Sequence, residues 1–148
     1  MALREIRTIG DDILRKKCRK VEVFDNKLKL LVEDMIETMY NAEGVGLAAP
    51  QIGILKNVVV IDIEDGSGVY VLINPEIIKS KGSQTDEEGC LSVPGVFEDV
   101  QRPKVITVKA QDINGDSIEL IAEEFFARAI CHELDHLIGI LFVDKIKN

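Results

Sequence analysis

The chain contains two histidines, and both lie in the run His132-Glu133-Leu134-Asp135-His136. Residues four apart on an α-helix project from one face about one turn apart, so the two imidazoles can bind the same metal ion. Glu133 is turned roughly 100° from His132, which lets its carboxylate reach a water at that ion without being a ligand. The run therefore predicts a metal-dependent hydrolytic site.

A third protein ligand must come from upstream. The metzincin pattern would place a third His where this chain has Phe142. Peptidases that use a Glu on a later helix need more chain than the 12 residues after His136. Cys90 is the best candidate, because the glycines and the proline around it predict a tight, exposed turn that brings a thiolate close to a site. By spacing alone, a carboxylate could also serve.

The other two cysteines are predicted to have no part in this site. Cys131 directly precedes His132 on the predicted helix and is therefore turned roughly 100° away from it. It is better explained as a small packed thiol than as a ligand of the same ion. Cys18 lies in the basic run 15–20, whose charges could lower its pKa. We interpret that run as a solvated face. Three cysteines with these spacings do not match a disulfide framework.

Two helices are predicted to frame the chemistry. Asp25 is a good N-cap, and the apolar residues after it recur at helical spacing, which predicts an amphipathic N-terminal helix that ends near Gly44. Those apolar residues are Leu28, Leu31, Val32, Met35, Ile36 and Met39. A second helix is predicted from about Glu123 to Leu137, with Gly139 just past its end.

Strand patterns fill the region between the helices. A small-residue loop at 44–53 comes first, followed by predicted strands at 58–63 and 69–73 and a further candidate at 77–80. Segments 105–111 and 117–122 flank Asn114-Gly115, a strong hairpin signal. Since the order lacks a βαβ rhythm, we predict an α+β fold in which antiparallel sheets pack around the C-terminal helix. We expect one catalytic domain over residues 1–148.

Composition narrows the classes of partner. The net charge is −8, which argues against nucleic acid binding because phosphate contacts need clustered Lys and Arg. The N-terminal residues 1–10 lack the apolar run of a signal peptide. The late apolar stretch 141–143 is far too short to span a membrane. We therefore expect a cytoplasmic protein without a membrane partner.

Three segments together resemble the peptide deformylase family. Residues 44–51, Gly-Val-Gly-Leu-Ala-Ala-Pro-Gln, are similar to its first motif, Gly-x-Gly-Leu-Ala-Ala-x-Gln. Residues 88–92, Glu-Gly-Cys-Leu-Ser, match the second, and 132–136 match the third. The glycine-rich loop alone would be a weak signal, but the three motifs in this order are very specific. The resemblance covers essentially the whole chain.

The resemblance implies a set of catalytic roles. The metal ligands would be Cys90, His132 and His136, and Glu133 would be the catalytic acid–base. Gln51 and the backbone N–H of Leu91 would hydrogen-bond the formyl oxygen. The ligands would hold one divalent ion per chain, with Fe²⁺ as the usual native metal and Zn²⁺, Ni²⁺ or Co²⁺ as substitutes. Ligand type alone does not choose between Fe²⁺ and Zn²⁺.

The resemblance also implies how the substrate is held. Backbone around Val45 and Gly46 would pair with an extended peptide. The side chains bordering the methionine pocket would be Phe125, Arg128 and Ala129. Arg102 is expected to pair with Asp135. Segment 96–101 matches no motif that assigns it a role.

The implied activity is removal of the formyl group from N-formylmethionyl nascent peptides, with release of formate. Transient contact with the ribosome would suit that substrate, although the short tail 145–148 does not decide it. Three other classes compete: a zincin-like endopeptidase, a non-catalytic module with a closed Cys/His metal site, and a binding protein descended from a deformylase. The endopeptidase would need a ligand downstream of His136, and the closed metal site would need a fourth protein ligand, and neither is evident in the sequence. Intact Glu133, Gln51 and Cys90 argue against a binding protein without activity.

Overall fold

The computed structural model describes residues 2–146. Its first α-helix, α1, spans Asn26–Asn41. The carboxylate of Asp25 accepts a hydrogen bond from the Leu28 N–H at 3.1 Å and so caps the first turn. The helix ends before Gly44, whose N–H donates to the Met39 carbonyl at 3.0 Å.

The second helix, α2, spans Glu124–His136 and carries the His132–His136 motif. Its predicted ends were within one residue of these bounds. Gly139, three residues further on, has a φ of +78°, a backbone conformation that favours glycine. The Gly139 N–H donates to the His136 carbonyl at 3.2 Å, which helps to end the helix directly after the second histidine.

Within the described residues, seven strands lie between the two helices in the chain. In chain order they are β1 (Gly46–Ala48), β2 (Val58–Ile61), β3 (Tyr70–Lys81), β4 (Gln84–Cys90), β5 (Val93–Arg102), β6 (Val105–Gln111) and β7 (Ser117–Glu123). Five of them form an antiparallel sheet in the order β1-β2-β3-β6-β7, and β4 pairs with β5 in a separate antiparallel hairpin. The predicted α+β class with antiparallel sheets is confirmed.

The large sheet lies between the two helices. On β2, Val58 and Val60 pack in one cluster with the apolar face of α1, whereas Val59 and Ile61 pack in another with α2. Successive strand residues face opposite sides, so a strand covered on both faces is apolar at every position. The run Val-Val-Val-Ile is fully buried for this reason.

Three predictions about the strands were wrong in detail. The loop 44–53 contains β1 and a short 3-10 helix, Ala49–Ile52. Segments 69–73 and 77–80 belong to one strand, β3, whose register with β6 shifts twice after Ile73. The sequence pattern predicted two strands because those irregularities interrupt the alternation of apolar and polar residues along β3.

The turn that carries Cys90 also differs from prediction. It connects β4 to β5, with Cys90 opposite Val93, and Ser92 and Val93 are buried rather than exposed. Segment 96–101, which matched no motif, lies within β5. Leu14, Leu141 and Phe142 pack in one apolar cluster with Val93 and Val100 of β5 and so support this hairpin. Within residues 2–146, no helix is long and apolar enough to cross a membrane.

Candidate metal centre and active-site cavity

The fold brings the three predicted ligands together. α2 presents His132 and His136 from one face, and the β4–β5 turn places the Cys90 thiol 3.4 Å from Nε2 of His136. Ligand atoms of the three side chains all lie within 4.8 Å of one another. In the part of the chain that the structure describes, no other group of His, Cys, Asp or Glu has this arrangement.

Electrostatics favour a cation at this position. Burial alone would lower the pKa of His132, but Glu133, Cys90 and Glu88 around it raise that pKa to about 10. Burial and the neighbouring His132 lower the pKa of His136, which keeps its imidazole neutral and able to act as a ligand. Nδ1 of His136 is buried without a hydrogen-bond partner among the described residues. One thiol and two imidazoles with an open position fit a divalent transition metal.

Glu88 orients the first histidine. Its carboxylate lies 2.9 Å from Nδ1 of His132, so the other ring nitrogen, Nε2, is directed towards the centre. Burial would raise the pKa of Glu88, but hydrogen bonds from Arg102 and His132 outweigh it and lower the pKa to about 2. Sequence reasoning gave Glu88 no role, although it stands two residues before Cys90 in the second motif.

Two buried arginines hold Glu88 in place. Arg102 donates from Nε and Nη2 to the two carboxylate oxygens, at 2.9 Å each, and Arg128 donates to the same group. Arg102 also donates to Asp135 at 2.6 Å, so the predicted Arg102–Asp135 pair is confirmed. Arg128 lines the cavity, but its guanidinium points to Glu88 and to the Val100 carbonyl.

Glu133 lies against the first loop. It is buried, and its Oε1 has no hydrogen-bond partner among the described residues. A Cβ at Gly46 would overlap Oε2 of Glu133, so only glycine leaves room for the carboxylate. Burial is the main cause that raises the pKa of Glu133 to about 7. A carboxylate with that pKa can both accept and release a proton near neutral pH.

The side chain of Gln51 is fixed by hydrogen bonds near Cys90. Its Oε1 accepts a hydrogen bond from the Ala48 N–H at 2.9 Å, which sets the orientation of the amide. Its Nε2 then donates to Oγ of Ser92 at 3.0 Å and lies 3.7 Å from the Cys90 sulfur. The amide N–H₂ group therefore points to the metal centre, beside the turn that contains Leu91.

A cavity of about 480 Å³ opens onto these groups. The residues predicted to bind substrate all line it: Val45, Gly46, Phe125, Arg128 and Ala129. Gln51, Cys90, Leu91, His132 and Glu133 line it too. Phe97 of β5 also contributes to the wall, a residue that the sequence analysis left without a role.

The remaining cysteines lie elsewhere. Cys131 is a packed thiol in the core cluster, as predicted. Cys18 is buried as well, and burial raises the pKa of its thiol to about 11, so the prediction that basic neighbours lower it was wrong. The other residues of 15–20 are exposed, but the backbone turns the Cys18 side chain into the core.

A buried carboxylate whose Oε1 has no partner among the described residues, beside a Cys–His–His donor set, is an arrangement typical of the class of single-metal hydrolases. Residues 3–148 match the family model of polypeptide deformylase. Peptide deformylase 1 of Clostridium acetobutylicum is 58% identical to this chain, and the match covers 99% of this chain and 96% of the relative's length. The peptide deformylase of Caldicellulosiruptor bescii is 59% identical over 99% of this chain and 87% of its own.

Solved structures agree with the sequence relatives. The crystal structure of peptide deformylase from Thermotoga maritima is 44% identical, covers 100% of both chains and superimposes with a TM-score of 0.97. That from Legionella pneumophila is 48% identical, covers 99% of this chain and 87% of its own, and has a TM-score of 0.95. The chain belongs to the polypeptide deformylase family.

Proposed function

We propose that the chain carries out its family's reaction, removal of the formyl group from N-formylmethionyl peptides with release of formate, in the cavity beside Cys90, His132 and His136. The observation that carries this proposal is the buried Glu133 carboxylate, whose Oε1 has no hydrogen-bond partner among the described residues, in a cavity that Cys90 and His132 also line. We further propose that the whole chain acts as one catalytic domain, because both helices, the sheet and the hairpin contribute to this cavity or support it.

Cys90, His132 and His136 would hold one divalent ion. When bound, such an ion supplies Lewis acidity and lowers the pKa of a coordinated water from 15.7 to about 7. We assign Fe²⁺ as the native metal on the family resemblance, with Zn²⁺, Ni²⁺ or Co²⁺ as substitutes, since a thiolate and two imidazoles accept all four.

Glu133 would move the proton. Its Oε1 accepts a proton from the attacking water as the water oxygen bonds to the formyl carbon. The same carboxyl group then donates that proton to the methionine nitrogen as the carbon–nitrogen bond breaks, which gives formate and a free amine. A pKa near 7, raised by burial, suits a group that must act first as base and then as acid.

Gln51 and Leu91 would stabilise the charge that develops on the formyl oxygen. The Gln51 amide is held by Ala48 and Ser92, and its longer 3.7 Å contact with the Cys90 sulfur can be exchanged for the substrate oxygen. The Leu91 N–H lies on the turn directly after Cys90. Loss of one such donor typically costs about 10²–10³ in rate.

The edge strand β1 would bind the peptide backbone. Among the described strands β1 pairs with β2 alone, and the Asp62 N–H donates to the Val45 carbonyl at 2.8 Å. Hydrogen bonds alternate along an antiparallel strand, so the N–H and C=O of Gly46 point to the free edge. An extended substrate can therefore add to the sheet at Gly46, while Val45 supplies a wall of the cavity.

The methionine side chain would occupy the apolar part of the cavity near Phe125 and Ala129, with the alkyl portion of Arg128 behind it. Substrates of this kind are nascent peptides, so we propose a cytoplasmic location and transient contact with the ribosome. The deciding experiment is formate release from formyl-Met-Ala-Ser by the metal-loaded protein, with the unformylated peptide as control. Absence of formate from a fully metal-loaded sample would refute the proposal.

A further inference from the structure

A second cavity of about 400 Å³ lies on the other side of α2. Cys131, Leu134 and Asp135 line it from one face of α2, and Ile138 lines it from the turn that follows the helix. His132 is turned roughly 100° away from Cys131, and no residue lines both this cavity and the active-site cavity. The two cavities are therefore separated by the helix that carries the metal ligands.

Two lysines give this second cavity a positive rim. Lys17 is exposed and forms no ion pair within residues 2–146. The ammonium of Lys145 lies 3.4 Å from Asp135 Oδ2, but that oxygen already receives the 2.6 Å bond from Arg102. Both ammonium groups therefore have hydrogen-bond donors available to an anion.

Asp135, one of the two carboxylates in the lining, is paired with Arg102. The other, Glu76 of β3, is exposed and forms no ion pair within residues 2–146, so the cations of the rim outnumber the free carboxylate. Further exposed cations stand beside the rim on adjacent chain segments. They are Lys16, Arg19, Lys20 and Lys56. In a chain with a net charge of −8, this is a distinct positive region.

Part of the wall of the second cavity is apolar. Ile138, in the turn after α2, is 53% exposed and Ile77 on β3 is 36% exposed, although both side chains line a concave surface. Pro75, Pro103, Leu134 and Leu137 add to this apolar part, and Asn57 and Gln101 are its uncharged polar neighbours. A cavity of this size, with an apolar part and lysines at the rim, suits a small amphiphile with an anionic head.

A chain of direct contacts connects the second cavity to the metal centre. Arg102, which lines the cavity, binds Asp135 on one side and Glu88 on the other. Glu88 in turn contacts Nδ1 of His132. A change in how Arg102 is held therefore reaches a metal ligand through one carboxylate.

We propose that this cavity binds a small carboxylate with a short apolar chain, and that its occupancy is communicated to His132 through Arg102 and Glu88. The ligand carboxylate binds Lys17 and Lys145 and competes with Asp135 for Arg102. As the Asp135 contact weakens, Arg102 shifts on Glu88, His132 loses its fixed orientation and turnover slows. The coupling rests on the proposed function, whereas the binding site does not.

Hexanoate is a suitable probe, and binding can be followed without any activity measurement. In zinc-loaded protein, titration should shift the methyl resonances of Ile77 and Ile138 in a saturable manner. The methyl of Ile121, which is exposed on β7 and lines no cavity, should not move. A dissociation constant on the order of 1 mM is expected for a ligand of this size. Absence of saturable shifts at Ile77 and Ile138 would overturn the site.

Charge reversal tests the head-group contact. Lys17→Glu should weaken hexanoate binding by about tenfold, since it replaces an attraction with a repulsion at a partly exposed position. Lys27→Glu is the matched control: Lys27 is an exposed lysine on α1 that lines neither cavity, and its reversal should leave the affinity unchanged. Equal affinities for the two variants would overturn the assignment of Lys17.

Initial rates of formate release test the coupling. Saturating hexanoate should lower kcat of the wild-type protein, and Lys17→Glu should need about tenfold more hexanoate for the same inhibition. Inhibition that is insensitive to Lys17→Glu would mean that hexanoate binds the metal directly, and would overturn the coupling. The coupling would also be overturned if the rate of formate release were unchanged at hexanoate concentrations that saturate the Ile138 methyl shift. A protein that binds hexanoate but releases no formate would contradict the proposed function alone.

Discussion

The Glu88 carboxylate lies 2.9 Å from Nδ1 of His132, and through this contact a residue of the β4–β5 hairpin sets the orientation of a proposed metal ligand on α2. Glu88 precedes Cys90 by two residues, so the same strand supplies one proposed ligand and orients another. Carboxylates behind metal-binding histidines typically contribute 10–100-fold to metal affinity or activity. The hairpin and the helix are therefore joined at the site by a direct contact, in addition to any metal that they would share.

Replacement of Glu88 by Gln should lower zinc affinity and kcat/KM by about 10–100-fold, because the amide cannot neutralise Arg102 or hold the His132 ring in the same way. Competition with a chelator measures the affinity, and thermal unfolding measures the accompanying loss of stability. Glu98→Gln is the matched control, because Glu98 is opposite Glu88 in the hairpin but exposed. If the two variants bind zinc equally well, Glu88 does not support His132.

Replacement of Cys90 by Ala should abolish stoichiometric metal binding, since two imidazoles alone leave the ion incompletely held. Metal content per chain after desalting is the measurement. Cys131→Ala should retain one ion per chain, because Cys131 packs in the core away from the ligand atoms. Undiminished metal in the Cys90 variant would show that another group is the third ligand.

Replacement of Glu133 by Ala should leave the metal in place but reduce kcat by about 10²–10⁴, the usual contribution of general acid–base catalysis. The pair of measurements, metal content and single-turnover rate, separates this role from that of a ligand. A rate within a few-fold of the wild type would place the proton transfer on another group.

Replacement of Gly46 by Ala should displace the Glu133 carboxylate, because the added Cβ overlaps Oε2. Misplacement of a catalytic group by about 1 Å can cost 10²-fold in rate, so we expect a fall in kcat of that order with metal retained. The shorter side chain in Glu133→Asp should relieve the overlap. Addition of Gly46→Ala to that variant should then cost much less, and a full additive loss would argue against the contact.

The formyl group should be strongly preferred over acetyl. Gln51, Leu91 and Cys90 line the same cavity, and an added methyl in a rigid site typically costs about 1–3 kcal/mol, which corresponds to up to about a hundredfold in rate. The lower electrophilicity of the acetyl carbonyl should widen the difference. The comparison is kcat/KM for formyl-Met-Ala-Ser and acetyl-Met-Ala-Ser. Equal values would indicate a broader amidase.

The sequence alone determined the features that depend on neighbours along the chain. The spacing of His132 and His136 places both imidazoles on one helix face whatever surrounds the helix. Asp25 caps α1, and Asn114-Gly115 joins β6 to β7, through interactions that close within a few residues. The three motifs, taken in order, also determined the family.

Tertiary structure decided what depends on residues far apart in the chain. Spacing left a carboxylate as an alternative third ligand, whereas the fold brings Cys90, 46 residues from His136, within 3.4 Å of its Nε2. The contact of Glu88 with His132, the burial of Cys18 and the free edge of β1 at Gly46 likewise have no local signature. Local patterns record short-range interactions, but such contacts exist only after sheet, hairpin and helices pack, because packing alone fixes which distant side chains meet.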